Sequence, residues 1–344
     1  MSESIFIRAC RRQSVPYTPI WIMRQAGRYM KEYRAVRDKV SFLELCRSPE
    51  LVTEVTLTAA NMLGVDAAII FADILLICEP LGFNLDFVKG DGPTIYNPLR
   101  SKVDLSRVEN QDVSLKLSYV GDAIGRTRGQ LDPSKALIGF AGAPFTVASY
   151  MIEGGSSKTF EHTRVLRKND PTTWNSFMQK ISSMTAEYLS MQIECGADAI
   201  QLFDSWVGQL SAKEYRTSVL PHLNALIQDL RTKHPGTPLI YFGTSTEHLF
   251  DEIKTLPIDV IGVDSKADLA AASNKLSSFA LQGNMDPTTL LCEKEIIEAE
   301  AKDILRTMKG RNGFIFNLGH GILPPTPFEH AKFLVDLVHR VSAS

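Results

Sequence analysis

Short apolar runs, separated by polar stretches with helix-start and helix-stop signals, recur along the chain. The runs occupy 67–71, 137–140, 199–203, 238–242, 260–263, 279–281 and 314–316, and a further one lies at 18–23. They are rich in Ile, Val and Phe and do not alternate with polar residues. That is the pattern of strands buried on both faces of a parallel sheet. Between them, Ser48 and Pro49 open a helix whose apolar face is Leu51, Val52, Val55, Ala59, Met62 and Leu63, with Gly64 as its stop. Ser211 with Glu214 reads as a capping box, and so does Thr326 with Glu329, with Pro327 at the first helical position. Trp174, Phe177, Met178, Ile181, Met184 and Met191 fall at helical spacing and predict a core-facing stripe. An amphipathic helix is expected over 293–308, ended by Gly310, and Pro221 should break the helix that begins after Ser211.

Seven or eight strand–helix units within roughly 280 residues predict an α/β fold closed as a (β/α)8 barrel. A doubly wound sheet is the alternative, but no G-x-G-x-x-G follows any expected strand and no G-x-x-x-x-G-K-[ST] occurs. No composition shift marks a linker, so residues 1–344 are read as one domain.

Composition narrows the partners. Thirty-seven Lys and Arg against 39 Asp and Glu leave a formal charge of −2. Nothing global points to nucleic acid or an anionic membrane. The five cysteines are widely spaced and never form a CxxC pair, which predicts a reduced, cytoplasmic setting and no zinc site. Residues 1–12 lack the apolar core of a signal peptide. No window approaches the ~18 apolar residues of a membrane span.

In such a barrel, polar residues just beyond each strand face the active site. Asp73 follows the apolar run 68–72, and its other reading is a helix N-cap. His320 lies between Gly319 and Gly321, where backbone or ligand can approach closely. Residues 142–145 open a turn ahead of Tyr150, and Ser205 follows another strand. The densest cationic feature is Arg24-Gln25-Ala26-Gly27-Arg28. Its two guanidinium forks match carboxylates or phosphates, the alternative being a solvated charged face.

Several long segments, in order and spread over nearly the whole chain, resemble the uroporphyrinogen decarboxylase family. They are 19–30 (PIWIMRQAGRYM), 142–155 (GAPFTVASYMIEGG), 202–206 (LFDSW), 281–287 (LQGNMDP) and 316–327 (FNLGHGILPPTP). The resemblance implies a single distorted (β/α)8 barrel, a homodimer, and a cytoplasmic enzyme that needs no cofactor or metal. The reaction it implies converts the four acetates of uroporphyrinogen III to methyls, giving coproporphyrinogen III and four CO2. It also implies that Arg24, Gln25, Ala26, Gly27 and Arg28 bind and position substrate carboxylates. Asp73 becomes the central catalytic carboxylate, Arg24 a candidate proton donor, and Tyr150, Ser205 and His320 further substrate contacts, with Phe42 as an apolar one. Two stretches depart from the family pattern: 243–248 has a different Gly-rich turn, and Ser265 stands where Trp is usual.

Two other functions compete. A zinc-dependent, corrinoid-linked methyltransferase of the same superfamily needs His-x-Cys and a further Cys, and no histidine of this chain has Cys two residues later. A non-catalytic tetrapyrrole carrier would keep Arg24 and Arg28 but has no use for Asp73.

Overall fold

Apolar runs with no polar alternation can be stable only where both faces are covered, and the tertiary structure supplies that cover. A computed structural model describes residues 3–88 and 92–343. Its strands are β1 (Ala67–Ile69), β2 (Leu85–Val88), β3 (Gly92–Ile95), β4 (Ala136–Gly142), β5 (Ala199–Asp204), β6 (Leu239–Gly243), β7 (Val260–Gly262), β8 (Ala280–Met285) and β9 (Phe314–Leu318). Seven of them form one parallel sheet in the order β1-β4-β5-β6-β7-β8-β9. Every residue of β4, β5, β6, β8 and β9 is buried.

The eighth position belongs to residues 19–22. Phe316 N–H donates to the Pro19 carbonyl at 2.8 Å, and Trp21 N–H to Phe316 at 3.4 Å. Asp66 N–H donates to Ile20 at 2.9 Å on the other side. The segment therefore bridges β9 and the start of β1, and the sheet curls into a TIM-barrel-like (β/α)8 fold with one abbreviated wall. Asp66 braces that wall. Its carboxylate accepts from Ile20 N–H at 2.8 Å and from Tyr17 O–H at 3.1 Å, and it meets His339 Nε2 of the last helix at 2.8 Å. Across the interior, Trp21 Nε1 donates to Gln282 at 2.8 Å and Gln282 Nε2 to Gln201 at 3.0 Å. These side chains come from opposite walls and can meet only inside the barrel.

The helices pack outside. The helix Pro171–Glu194 buries the whole Trp174-to-Met191 stripe, as its spacing predicts. Ser48 caps Pro49–Leu63 through Leu51 N–H, and Ser211 with Glu214 forms the expected capping box. The break near Pro221 falls at Val219, between Ala212–Ser218 and Leu220–Lys233. The expected box at Thr326 does not form. The last helix is Phe328–Ser342 with Pro327 as its N-cap, and buried Thr326 Oγ1 has no partner. The backbone turns helical one residue later than the motif demands.

One element has no counterpart in the sequence reading. β2 and β3 pair antiparallel, between β1 and β4 in the chain. Ile95 N–H donates to Gly154 at 2.9 Å, and Thr94 bridges Gly155. The pair is thereby fastened to the end of the helix Pro144–Glu153, which carries Tyr150.

Candidate active site

The C-terminal ends of the parallel strands gather the expected residues at one mouth. Arg24 lies just past the 19–22 segment, Asp73 past β1, Tyr150 on the helix after β4, Ser205 past β5 and His320 past β9. Strand polarity alone brings them together, because every strand points the same way.

Arg24 is the most constrained of them. Its φ is +64°, in the left-handed region that non-glycine residues rarely occupy. Several bonds from opposite sides hold it there. Met23 N–H donates to Asn317 Oδ1 at 3.0 Å, Gln25 N–H to Ile22 at 2.9 Å, and Ile322 N–H to Met23 at 2.9 Å. A Cβ on Gly27 would come within 2.8 Å of the Arg24 carbonyl, and one on Gly321 within 2.5 Å of Arg24 Cδ. At Gly27 the obstacle is backbone, so the position requires a glycine, whereas at Gly321 it is the Arg24 side chain, which a methyl would displace. The guanidinium itself is free of ion pairs among the described residues, as is that of Arg28, and both residues are exposed.

Asp73 is half-buried. Its Oδ1 accepts Leu75 N–H at 2.8 Å in a local turn, while the helical turn that follows, Leu76–Cys78, takes Leu75 as its N-cap, so the expected N-cap role of Asp73 does not form. Burial pushes its carboxyl up to about 6, against the Leu75 N–H and the Arg24 charge, which pull it down. Arg24 is thus near enough to act on Asp73 without forming an ion pair with it. His320 is exposed at the rim, yet the protein packed round its ring and the Arg24 charge hold its imidazole below the ordinary value. It is neutral at pH 7.

Aromatic walls line the mouth. Phe42 packs on Phe87 at 4.5 Å and Phe71 at 5.8 Å, with Arg37 over its ring at 5.9 Å. Facing elements carry Tyr150 and Trp206, stacked at 3.7 Å and 26°, with the edge of Phe160 at 4.7 Å. Phe140, Phe203 and Phe242 form a buried chain of ring contacts at 5.5 and 6.0 Å along β4, β5 and β6. The arrangement offers cations at the rim, rings along the walls and one half-buried carboxylate. Among the described residues no group of three His, Cys, Asp or Glu side chains could hold a metal ion.

The sequence around this site has relatives. The family model for uroporphyrinogen decarboxylase (URO-D) matches residues 1–341. This chain belongs to the uroporphyrinogen decarboxylase family. The uroporphyrinogen decarboxylase of Chloroflexus aurantiacus is 48% identical over 336 residues, covering 97% of this chain and 94% of the relative. That of Carboxydothermus hydrogenoformans is 45% identical over 339 residues, covering 98% and 96%. Among solved structures, a methyltransferase from Methanosarcina mazei superposes with a TM-score of 0.78 at 18% identity, covering 99% of each chain. At that identity the likeness shows the shared barrel and nothing of the chemistry.

Within the family's signature the structure divides the labour. Gln25 is 1% exposed, and its side chain is committed to the fold: Oε1 accepts Ile22 N–H at 3.2 Å and Nε2 donates to the Ala67 carbonyl at 3.2 Å. It anchors the arginine loop to β1 and does not present its amide to the mouth. Ala26 and Gly27 are half-buried backbone between the two arginines. The sequence reading assigned no role to Asn317 or Trp206. Both lie inside recognised segments, but only the tertiary structure shows Asn317 holding Met23 and Trp206 lying on Tyr150. The departing stretches 243–248 and 262–265 meet where Asp264 accepts Ser245 N–H at 2.6 Å and Lys266 N–H at 2.8 Å beside a cleft of about 580 Å³, and Ser265 packs against Gly319, next to His320.

Proposed function

We propose that this chain decarboxylates uroporphyrinogen in tetrapyrrole biosynthesis, with Asp73 as the carboxylate that serves the pyrrole N–H groups. Arg24 and Arg28 hold substrate carboxylates, and Tyr150, Ser205, His320 and Phe42 complete the contacts. The observation that carries this reading is a half-buried carboxylate and two guanidinium groups that have no ion-pair partner among the described residues, in a chain of this family.

The residues suit the chemistry. Protonation of the ring carbon next to an acetate-bearing position turns the pyrrole into a cation. The C–C bond to the carboxylate then breaks, CO2 leaves, and the bonding pair flows into the ring. Protonation of the exocyclic carbon and loss of the ring proton restore the pyrrole with a methyl group. Each acetate therefore becomes a methyl at the net expense of one proton. Asp73 accepts N–H bonds and carries the negative charge that offsets the developing cation. The protein supplies binding and electrostatics, and the electron sink is the substrate itself. His320, neutral at pH 7, offers a donor and an acceptor at the rim rather than a charge.

The reading includes one domain over 1–344, a homodimer and a cytoplasmic location. Supporting the last, all five cysteines are free thiols. No helix among the described residues is long and apolar enough to cross a membrane. The test is anaerobic turnover of uroporphyrinogen III, with products oxidised and separated by chromatography. Four successive losses of CO2 ending in coproporphyrin support the reading. Tight binding without turnover would instead make the chain a carrier.

A further inference from the structure

Asp204 ends β5 and faces away from the barrel interior, towards the helices. It is 0% exposed, and no Lys, Arg or His pairs with it among the described residues. Its side-chain partners are hydroxyls, and the Thr146 backbone N–H also acts on it. Thr146 Oγ1 donates to Oδ1 at 2.6 Å and Tyr241 O–H to Oδ2 at 2.8 Å, while the Tyr241 oxygen accepts from Tyr215 O–H at 3.4 Å. Burial pushes the carboxyl up to about 6, and the hydroxyls pull it down. At neutral pH it is ionised and can only accept.

That fixes the polarity of Thr146. A helical threonine ordinarily donates back to the carbonyl four residues earlier. Here its single proton goes to Asp204, so its lone pair is turned to Trp206 N–H, which donates to it at 3.2 Å. Trp206 in turn lies on Tyr150, one helical turn beyond Thr146. Ser205 is the residue between Asp204 and Trp206, held at both ends.

The geometry points to Asp204 as a positioning residue for the decarboxylation, acting through the Thr146 hydroxyl to set Ser205 and the Tyr150–Trp206 wall of the mouth. This rests on the reading that the mouth takes the tetrapyrrole. Thr146→Val keeps the shape and removes the hydroxyl, Thr146→Ser keeps the hydroxyl, and Asp204→Asn removes the charge and one of the two acceptor oxygens, leaving an amide that can accept from only one of the two hydroxyls. Trp21 and Trp174 are buried, so acrylamide quenching of intrinsic fluorescence reports on half-buried Trp206.

Thr146→Val and Asp204→Asn are expected to raise KM about tenfold with a smaller change in kcat, and to open Trp206 to the quencher. Thr146→Ser is expected to stay within about twofold of the parent, and the double variant Thr146→Val/Asp204→Asn to be no worse than Thr146→Val alone, since both act on the same link. Parental KM and quenching in both single variants, or a Thr146→Ser as impaired as Thr146→Val, would overturn the assignment. Should Asp204→Asn fail to fold, the Thr146 pair decides. Should the parent not turn over uroporphyrinogen, the proposed function fails, while quenching still tests whether Asp204 sets Trp206.

Discussion

Two charges of opposite sign, Asp73 and Arg24, act on each other without closing into an ion pair, and on the proposed reading that leaves each available to substrate. Asp73→Asn keeps shape and loses charge, so binding should survive while kcat falls by on the order of 2–4 kcal/mol of transition-state stabilisation. Steady-state kinetics that return parental kcat would remove Asp73 from the mechanism. The sign of its pH dependence follows from its position. Burial raises the carboxyl to about 6, so protonation below that pH removes the negative charge the cationic ring needs. The pH profile of kcat/KM should therefore fall on an acid limb near pH 6, and that limb should be missing in Asp73→Asn yet present in Asp204→Asn. Arg24 and Arg28 are argued as planar, two-pronged contacts, so Arg24→Lys and Arg28→Lys should be badly impaired at unchanged net charge. Binding should also weaken with salt, since charges open to solvent are screened over ~8 Å at physiological ionic strength. Lys variants with parental kcat and KM, insensitive to salt, would make the cluster a general electrostatic lure at most.

Loops that carry function here are built by neighbouring elements rather than by their own propensities. The arginine loop holds a left-handed Arg24 because Asn317 from β9, Ala67 from β1 and Ile322 beyond His320 each grip it from a different side. Gly321→Ala tests that coupling. A methyl within 2.5 Å of Arg24 Cδ must displace the guanidinium, while the position itself needs no left-handed backbone. The expected outcome is at least a tenfold drop in kcat/KM with stability changed by less than about 1 kcal/mol, read by kinetics and urea unfolding side by side. Unchanged kinetics would mean that the His320 loop and the Arg24 loop are independent. The β2–β3 pair acts similarly from above, since Phe87 gives Phe42 its ring contact and Gly154 ties the pair to the Tyr150 helix.

Closure of the barrel depends on a wall that is barely a strand. Residues 19–22 carry few sheet bonds, and Asp66 joins them to β1 and to the last helix at once. It is 7% exposed, so its removal leaves buried donors unpaired. Asp66→Ala is expected to lower the unfolding free energy by about 2–4 kcal/mol, with a lower urea midpoint at similar m-value. Because Arg24 lies two residues past the braced segment, catalysis should fall in the folded variant as well. A midpoint equal to the parent's would show that the sheet bonds alone close the barrel.

Strand runs, helix stops and the buried Trp174 stripe were legible in the sequence because burial on two faces or on one helical stripe writes a periodic pattern into the residues. The family was legible because whole segments around the mouth, from Arg24 to His320, resemble those of its members. The β2–β3 pair was not, since its short, half-buried strands have no continuous apolar run to betray them. The Thr326 box failed because a local motif competes with the packing that sets where the last helix begins. Gln25 and Asn317 could not be told from substrate ligands by position in a motif. Their roles are fixed by which backbone groups lie within hydrogen-bond reach, and those come from strands far apart in the chain. The sequence by itself determined the parallel barrel, the cationic loop and the lone carboxylate. Only the tertiary structure decided the burial that raises Asp73, the left-handed grip on Arg24 and the Asp204–Thr146–Trp206 link, because burial and hydrogen-bond direction are properties of the space between elements.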